Sequence, residues 1–181
     1  MRQLLAHFLL VLVALGLPAP QAWAQAPTES SVKAAFLLKF GAFVEWPAGV
    51  FARPDQPIVI GVAGDEAIAA DLERLAAGRQ VEGHPVIVRR VADSAAGAGL
   101  HVLYVAPRRE SRLQELLDTV TRPVLVVTSQ ADGLQHGGVI NFITEGGRVR
   151  FAASLTAADT RGIKLSARLL AVAQSVEGRA R

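Results

Sequence analysis

The stretch Asp55–Ala76, DQPIVIGVAGDEAIAADLERLA, carries two periodicities back to back. Its first half is a β-branched run through IVIGV, broken by Gly61 and closed by Gly64. A run with no polar alternation is what a strand covered on both faces shows. From Glu66 onward the apolar residues recur at helical spacing. Asp65 stands between the two halves, where a helix takes its N-cap. The stretch therefore reads as strand then helix, the repeating unit of a parallel sheet.

Working outward, HPVIVRRV (84–91), GLHVLYVAP (99–107) and RPVLVVTS (122–129) read as further strands, and RRESRLQELLDTV (108–120) as a second amphipathic helix. The residues ADSAAGAG (92–99) read as a flexible loop. Strands alternating with helices give an α/β fold, a largely parallel sheet flanked by helices. Towards the end, GGVINFITEGGRVRFAAS (137–154) predicts a hairpin turning at Gly146 and Gly147, residues suited to positive φ. That turn sets Glu145 opposite Arg148. It also puts Ile140, Phe142, Thr144, Val149, Phe151 and Ala153 on one inward face, with Asn141, Ile143, Glu145, Arg148 and Arg150 on the other. In LTAADTRG (155–162), Thr156 reads as an N-cap and Gly162 as a stop. IKLSARLLAVAQSV (163–176) then predicts a closing helix with Leu165, Leu169, Val172, Ala173 and Val176 as its docking stripe.

The chain opens MRQLLAHFLLVLVALGLPAPQAWAQ: Arg2, an apolar run, then Ala22-Trp23-Ala24. This is the pattern of a secretory signal peptide over residues 1–24. The apolar run is shorter than the roughly 20 residues a spanning helix needs. Residues 25–181 then form a single domain delivered to the periplasm. With no cysteine in the chain, disulfides, thiol redox chemistry and cysteine-built zinc sites are excluded. The net charge is +3 and the basic residues are scattered, so the sequence pI of 9.9 does not indicate nucleic acid.

The segment SSVKAAFLLKFGAFVEWP, Ser30–Pro47, reads as a helix ended by Trp46-Pro47, but it lacks a polar face. Lys33, Lys39 and Glu45 are evenly spaced at a step that rotates about 240° each time, so the charges point in three directions. Phe36, Leu37, Leu38, Phe40, Phe43 and Val44 cover the remaining circumference. Such a helix is either buried or shared with a partner. The first reading makes it a core helix whose Lys39 reaches outward. The second leaves Phe40, Phe43 and Trp46 as a partner-binding patch, because aromatic anchors dominate interfaces.

No catalytic motif is present: there is no G-x-S-x-G, H-E-x-x-H, Walker loop or complete G-x-G-x-x-G. Neither an enzyme nor a cofactor is expected. His84, His101 and His136 have no ligand spacing and no metal site is expected. The turn from Gly61 to Asp65 could hold a small anion, although Asp65 as N-cap would compete with it.

The blocks KAAFLLKFGAFVEWP, GGVINFITEGGRVRF and SLTAADTRGIKLSARLLAVA, in this order behind a signal peptide, resemble the YfiR-like periplasmic proteins. The resemblance implies a homodimeric regulator that binds the sensory portion of an inner-membrane diguanylate cyclase and represses it, lowering cyclic di-GMP and biofilm formation. On this reading Phe40, Phe43 and Trp46 make the partner contact. A basic set of Arg150, Lys164 and Arg168 takes a small anionic ligand. The competing reading pairs Arg150 with Glu145 and leaves Lys164 and Arg168 solvated. The other functional class is a periplasmic solute-binding protein with no cyclase partner. The chain departs from the family at its missing cysteine pairs and at Ser154, where the family has Asn.

Overall fold

The computed structural model describes residues 26–92, 99–120 and 123–178. The expected signal peptide and most of the 92–99 loop lie outside them. Helix α1 (Glu29–Phe40) leads through a short 3-10 turn (Gly41–Phe43) into strand β1 (Val44–Glu45). There follow β2 (Ile58–Ala63), α2 (Glu66–Ala76), β3 (Gln80–Val81), β4 (His84–Val91), β5 (Val102–Val105), α3 (Glu110–Asp118) and β6 (Leu125–Thr128). The hairpin β7 (Ile140–Glu145) and β8 (Arg148–Ser154) precedes α4 (Leu155–Thr160), β9 (Lys164–Leu165), α5 (Ala167–Leu170) and β10 (Ser175–Glu177).

Eight strands form one sheet in the order β10-β8-β7-β6-β5-β2-β4-β3. Strands β4, β2, β5, β6 and β7 run parallel, as the strand–helix alternation implies. The margins are mixed: β8 and β3 run antiparallel to their neighbours β7 and β4. Every residue of β2, β5 and β6 is buried, which is why these strands carry continuous apolar runs. At Gly61 in β2 an added Cβ would stand 2.9 Å from both Leu100 Cδ1 and Val91 Cγ2. Its missing side chain thus accommodates core packing, and no ligand is needed to explain it. Asp65 caps α2, its carboxylate accepting the Ile68 N–H at 2.9 Å.

The hairpin turns at Gly146 (φ 55°) and Gly147 (φ 73°), with Glu145 opposite Arg148 and Phe142 opposite Phe151. Its inward face answers the question that α1 raises. Phe36 and Phe40 of the helix meet Phe142 and Phe151 of the hairpin, with ring centroids 5.3 to 6.0 Å apart. On another side Ser30 Oγ donates to Asp71 of α2 at 2.7 Å. Covered by α2 and the hairpin, α1 needs little polar surface, and the core-helix reading holds for Ala34, Leu37, Leu38 and Phe40. Lys33 is buried to 8 % exposure; its ammonium bonds Glu29 at 2.6 Å and lies 5.9 Å from the Phe142 ring centroid. That bond is the main reason the Glu29 carboxyl is held below the usual carboxylate range.

Three sequence expectations are corrected. The first helix does not run to Trp46: it stops at Phe40, and Val44–Glu45 pair with Lys164–Leu165 as a separate two-stranded ladder. The predicted closing helix is broken into β9, a single turn (α5) and β10. Gly162 ends α4 with φ 72° as expected, but the cap of that helix is Ser154, not Thr156. Ser154 Oγ accepts the Ala157 N–H at 3.2 Å. Beyond Ser166, which caps α5, the Gln174 N–H donates to Phe151 O and Ser175–Glu177 extend along Ala152–Ser154. A strand there satisfies backbone groups at the margin of β8, which a helix would leave unpaired. The expected docking stripe is split accordingly: Leu165 and Leu169 are buried, while Val172 is 69 % exposed.

Candidate functional site

The β1/β9 ladder joins two segments that the sequence keeps far apart. Val44 pairs with Leu165 and Glu45 with Lys164, and the Ser166 N–H closes the ladder on Phe43 O at 2.9 Å. Alternation along these short strands turns Val44 and Leu165 into the core and leaves Glu45 and Lys164 exposed. Immediately after Glu45, the Trp46 indole folds back and donates Nε1–H to Gly41 O at 3.2 Å. On the other side, the Gly162 turn carries Ile163 inward, its N–H bonded to Ala158 O.

These elements enclose a cleft of about 430 Å³ lined by Glu45, Trp46, Pro47, Asp159, Gly162, Ile163 and Lys164. Its floor is apolar and aromatic, and its rim carries two carboxylates and one ammonium. An apolar floor with a sparse charged rim suits a large side chain of a protein partner, or a small molecule with an apolar body. Its lining includes no nucleophile set against a base.

The predicted site residues are distributed as follows. Phe40 is 1 % exposed and locked among the four phenylalanines, which removes it from any contact patch and corrects that expectation. Phe43 and Trp46 are half-buried, and Trp46 reaches the cleft. The helix ends at Phe40, before Phe43 and Trp46, and of the three aromatics only Trp46 lines the cleft. Arg150 sits on β8 opposite Ile143, Lys164 on β9 and Arg168 on α5. Of these three, Lys164 alone lines the cleft. The proposed Arg150–Glu145 pairing is replaced: Glu145 faces Arg148 across the hairpin and accepts from Gln174 Nε2 at 3.4 Å.

Sequence reading missed the aromatic cluster behind Trp46. Phe51 stacks on both His84 and His101, two histidines that have no spacing signal because one opens β4 and the other immediately precedes β5. His136 stands apart, 3.3 Å from Glu110. Among the described residues no group of three or more histidines and carboxylates is placed to hold a metal, and no helix is long and apolar enough to cross a membrane.

No curated protein sequence matches the chain. Among solved structures, a conserved domain protein from Vibrio cholerae O1 biovar El Tor str. N16961 is similar at 13 % identity and a TM-score of 0.48. That similarity covers 83 % of this chain and 60 % of the other, so the chain spans less than two thirds of that structure's length. The family comparison covers residues 30–174, from the start of α1 to the residue before β10, and on it the chain belongs to the YfiR/HmsC-like family, DUF4154, a family of regulators rather than enzymes.

Proposed function

We propose that this protein is a periplasmic, homodimeric regulator that binds the sensory portion of an inner-membrane diguanylate cyclase and represses cyclic di-GMP synthesis, and with it biofilm formation. Family membership supports the coarser part, a periplasmic regulator of cyclic di-GMP signalling. The leader-like N-terminus agrees with that location. The observation that carries the contact assignment is the β1/β9 ladder, which sets Trp46 and Lys164 around one cleft. Trp46 supplies the aromatic anchor and Lys164 the charge that orients an acidic or polar partner group. Arg150 and Arg168 lie on other elements, so an anionic ligand that engages this site meets Lys164 first.

The test is binding of the purified protein to a detergent-solubilised membrane diguanylate cyclase from the same cells, read by co-purification and by cyclase turnover. Trp46→Ala and Lys164→Glu should each weaken binding about tenfold, the scale of one lost anchor contact, with circular dichroism unchanged. Arg168→Glu should leave binding as it is. Full-strength binding by both cleft variants removes the cleft from the contact. A wild-type protein that neither binds nor inhibits the cyclase overturns the regulatory reading.

A further inference from the structure

Trp46 borders the cleft on one side and an aromatic stack on the other. Phe51 lies between two imidazoles, with its centroid 4.3 Å from His84 (27° between planes) and 4.7 Å from His101 (10°). Trp46 stands edge-on to Phe51 at 6.1 Å and to His101 at 5.8 Å. The segment that carries Phe51 is closed on itself. Gln56 accepts the Ala52 N–H on Oε1 at 2.9 Å and donates Nε2–H to Val50 O at 3.1 Å. A loop tied internally in this way is compact and held by its own side chains.

The two histidines are bonded differently. His84 Nδ1 lies 2.8 Å from Gln56 O, and a carbonyl only accepts, so this nitrogen carries the proton. The other ring nitrogen of His84 can take a second proton without losing that bond. His101 is 6 % exposed, and its Nδ1 accepts the Val59 N–H at 3.0 Å. The neutral His101 ring therefore holds its proton on Nε2. A second proton must go to Nδ1, the atom already occupied by the β2 backbone. Charging His84 alone places one cation on the face of Phe51, which is favourable. Charging His101 as well breaks a buried backbone bond and sets a like charge across the same ring.

Among the described residues, the elements packed around His101 bring it no compensating carboxylate. Residues Ile58–Ala63 of β2 carry no ionisable side chain, and neither do Pro123–Thr128. On the loop, Arg53 and Asp55 pair with each other at 3.2 Å in an exposed position. β4 contributes His84. Beside Trp46, Glu45 turns outward against Lys164 on the rim of the cleft.

We infer that protonation of His101 in mild acid breaks its bond to the Val59 N–H and unseats the His84–Phe51–His101 stack, which thereby serves as an acid-sensitive latch next to the cleft. Burial, and then the proximity of His84, hold the His101 imidazole below the ordinary histidine range, so the latch stays closed at neutral pH. The opening itself does not depend on the proposed cyclase contact; only its regulatory use rests on that reading.

The full chain carrying Trp23→Phe leaves Trp46 as the single tryptophan, because the sequence holds two. Its emission is followed from pH 8 to pH 4.5, with circular dichroism recording the sheet and NMR recording exchange of the Val59 amide. The expected result is a red shift of Trp46 with a midpoint below about 6.5, exchange at Val59 faster by about tenfold, and a retained sheet signal. His101→Asn keeps an acceptor near Nδ1 and removes the titration, so the transition should vanish. His84→Asn removes the neighbouring charge and should move the midpoint up. A persisting transition in folded His101→Asn overturns the latch, as does an unmoved midpoint in His84→Asn or a wild-type Trp46 signal that is flat over the whole range. Loss of cyclase binding without these changes bears on the cleft alone.

Discussion

Phe40 and Phe151 meet edge to face, with centroids 5.3 Å apart and planes at 74°, and so tie the first helix to the hairpin near the far end of the chain. The contact fixes Phe40 as a core residue although it neighbours the half-buried Phe43. Phe40→Ala should therefore cost about 3 to 5 kcal/mol in urea unfolding, the range for removing a buried aromatic ring. Phe43→Ala should cost clearly less. Equal losses would mean that the four-phenylalanine cluster does not anchor α1.

Gly61 leaves no room for a methyl group between Leu100 and Val91. Gly61→Ala should destabilise the protein by about 1 to 3 kcal/mol through overpacking, measured by thermal unfolding. Leu100→Ala in the same chain should recover part of the loss, because it opens the space that the new methyl needs. A Gly61→Ala protein as stable as wild type would show that the β2 neighbours shift freely.

Asp65 holds the N-terminus of α2 through the Ile68 N–H. Its replacement by Ala should cost about 1 kcal/mol, the usual loss of a helix cap, and Asp65→Ser should restore most of it. Chemical denaturation with all three proteins decides this. If the Ala protein is unchanged, the cap contributes nothing.

Tyr104 is 1 % exposed; burial pushes its phenol up to about 12, partly opposed by the bond to Ser129 at 2.7 Å. The unfolded phenol ionises near pH 10. The folded state thus retains a proton that the unfolded chain releases, so the stabilisation is complete below about pH 10 and fades as pH rises towards 12. Because Tyr104 is the single tyrosine, absorbance at the phenolate band reads its titration directly. The phenolate should appear in step with alkaline unfolding. Tyr104→Phe should flatten the stability curve between about pH 10 and 12. Ionisation near 10 in a folded protein would contradict the burial.

Much of this was legible in the residues. The apolar runs of β2, β5 and β6, the helix opening at Glu66, and the hairpin faces around Gly146-Gly147 follow from local periodicity and turn chemistry. The ending was misread. Leu165, Leu169 and Val172 match a helical stripe, but backbone groups on β1 and β8 recruit the same segment as strands. The site was half legible. Trp46 and Lys164 stood out separately, one as an aromatic anchor and the other in a basic set, with nothing in their spacing to join them.

By itself the sequence determined the kind of element through the strand–helix middle of the chain and the hairpin, because side-chain periodicity is a local property of neighbouring residues. It also determined what the chain lacks, above all cysteine and any catalytic motif. Only the tertiary structure decided which faces meet. Phe40 went inward, Trp46 came to border Lys164, and His84 and His101 came to share the ring of Phe51. Those outcomes depend on pairing distant backbone donors with acceptors and on closing apolar surfaces against one another. Residue spacing along the chain carries no record of either.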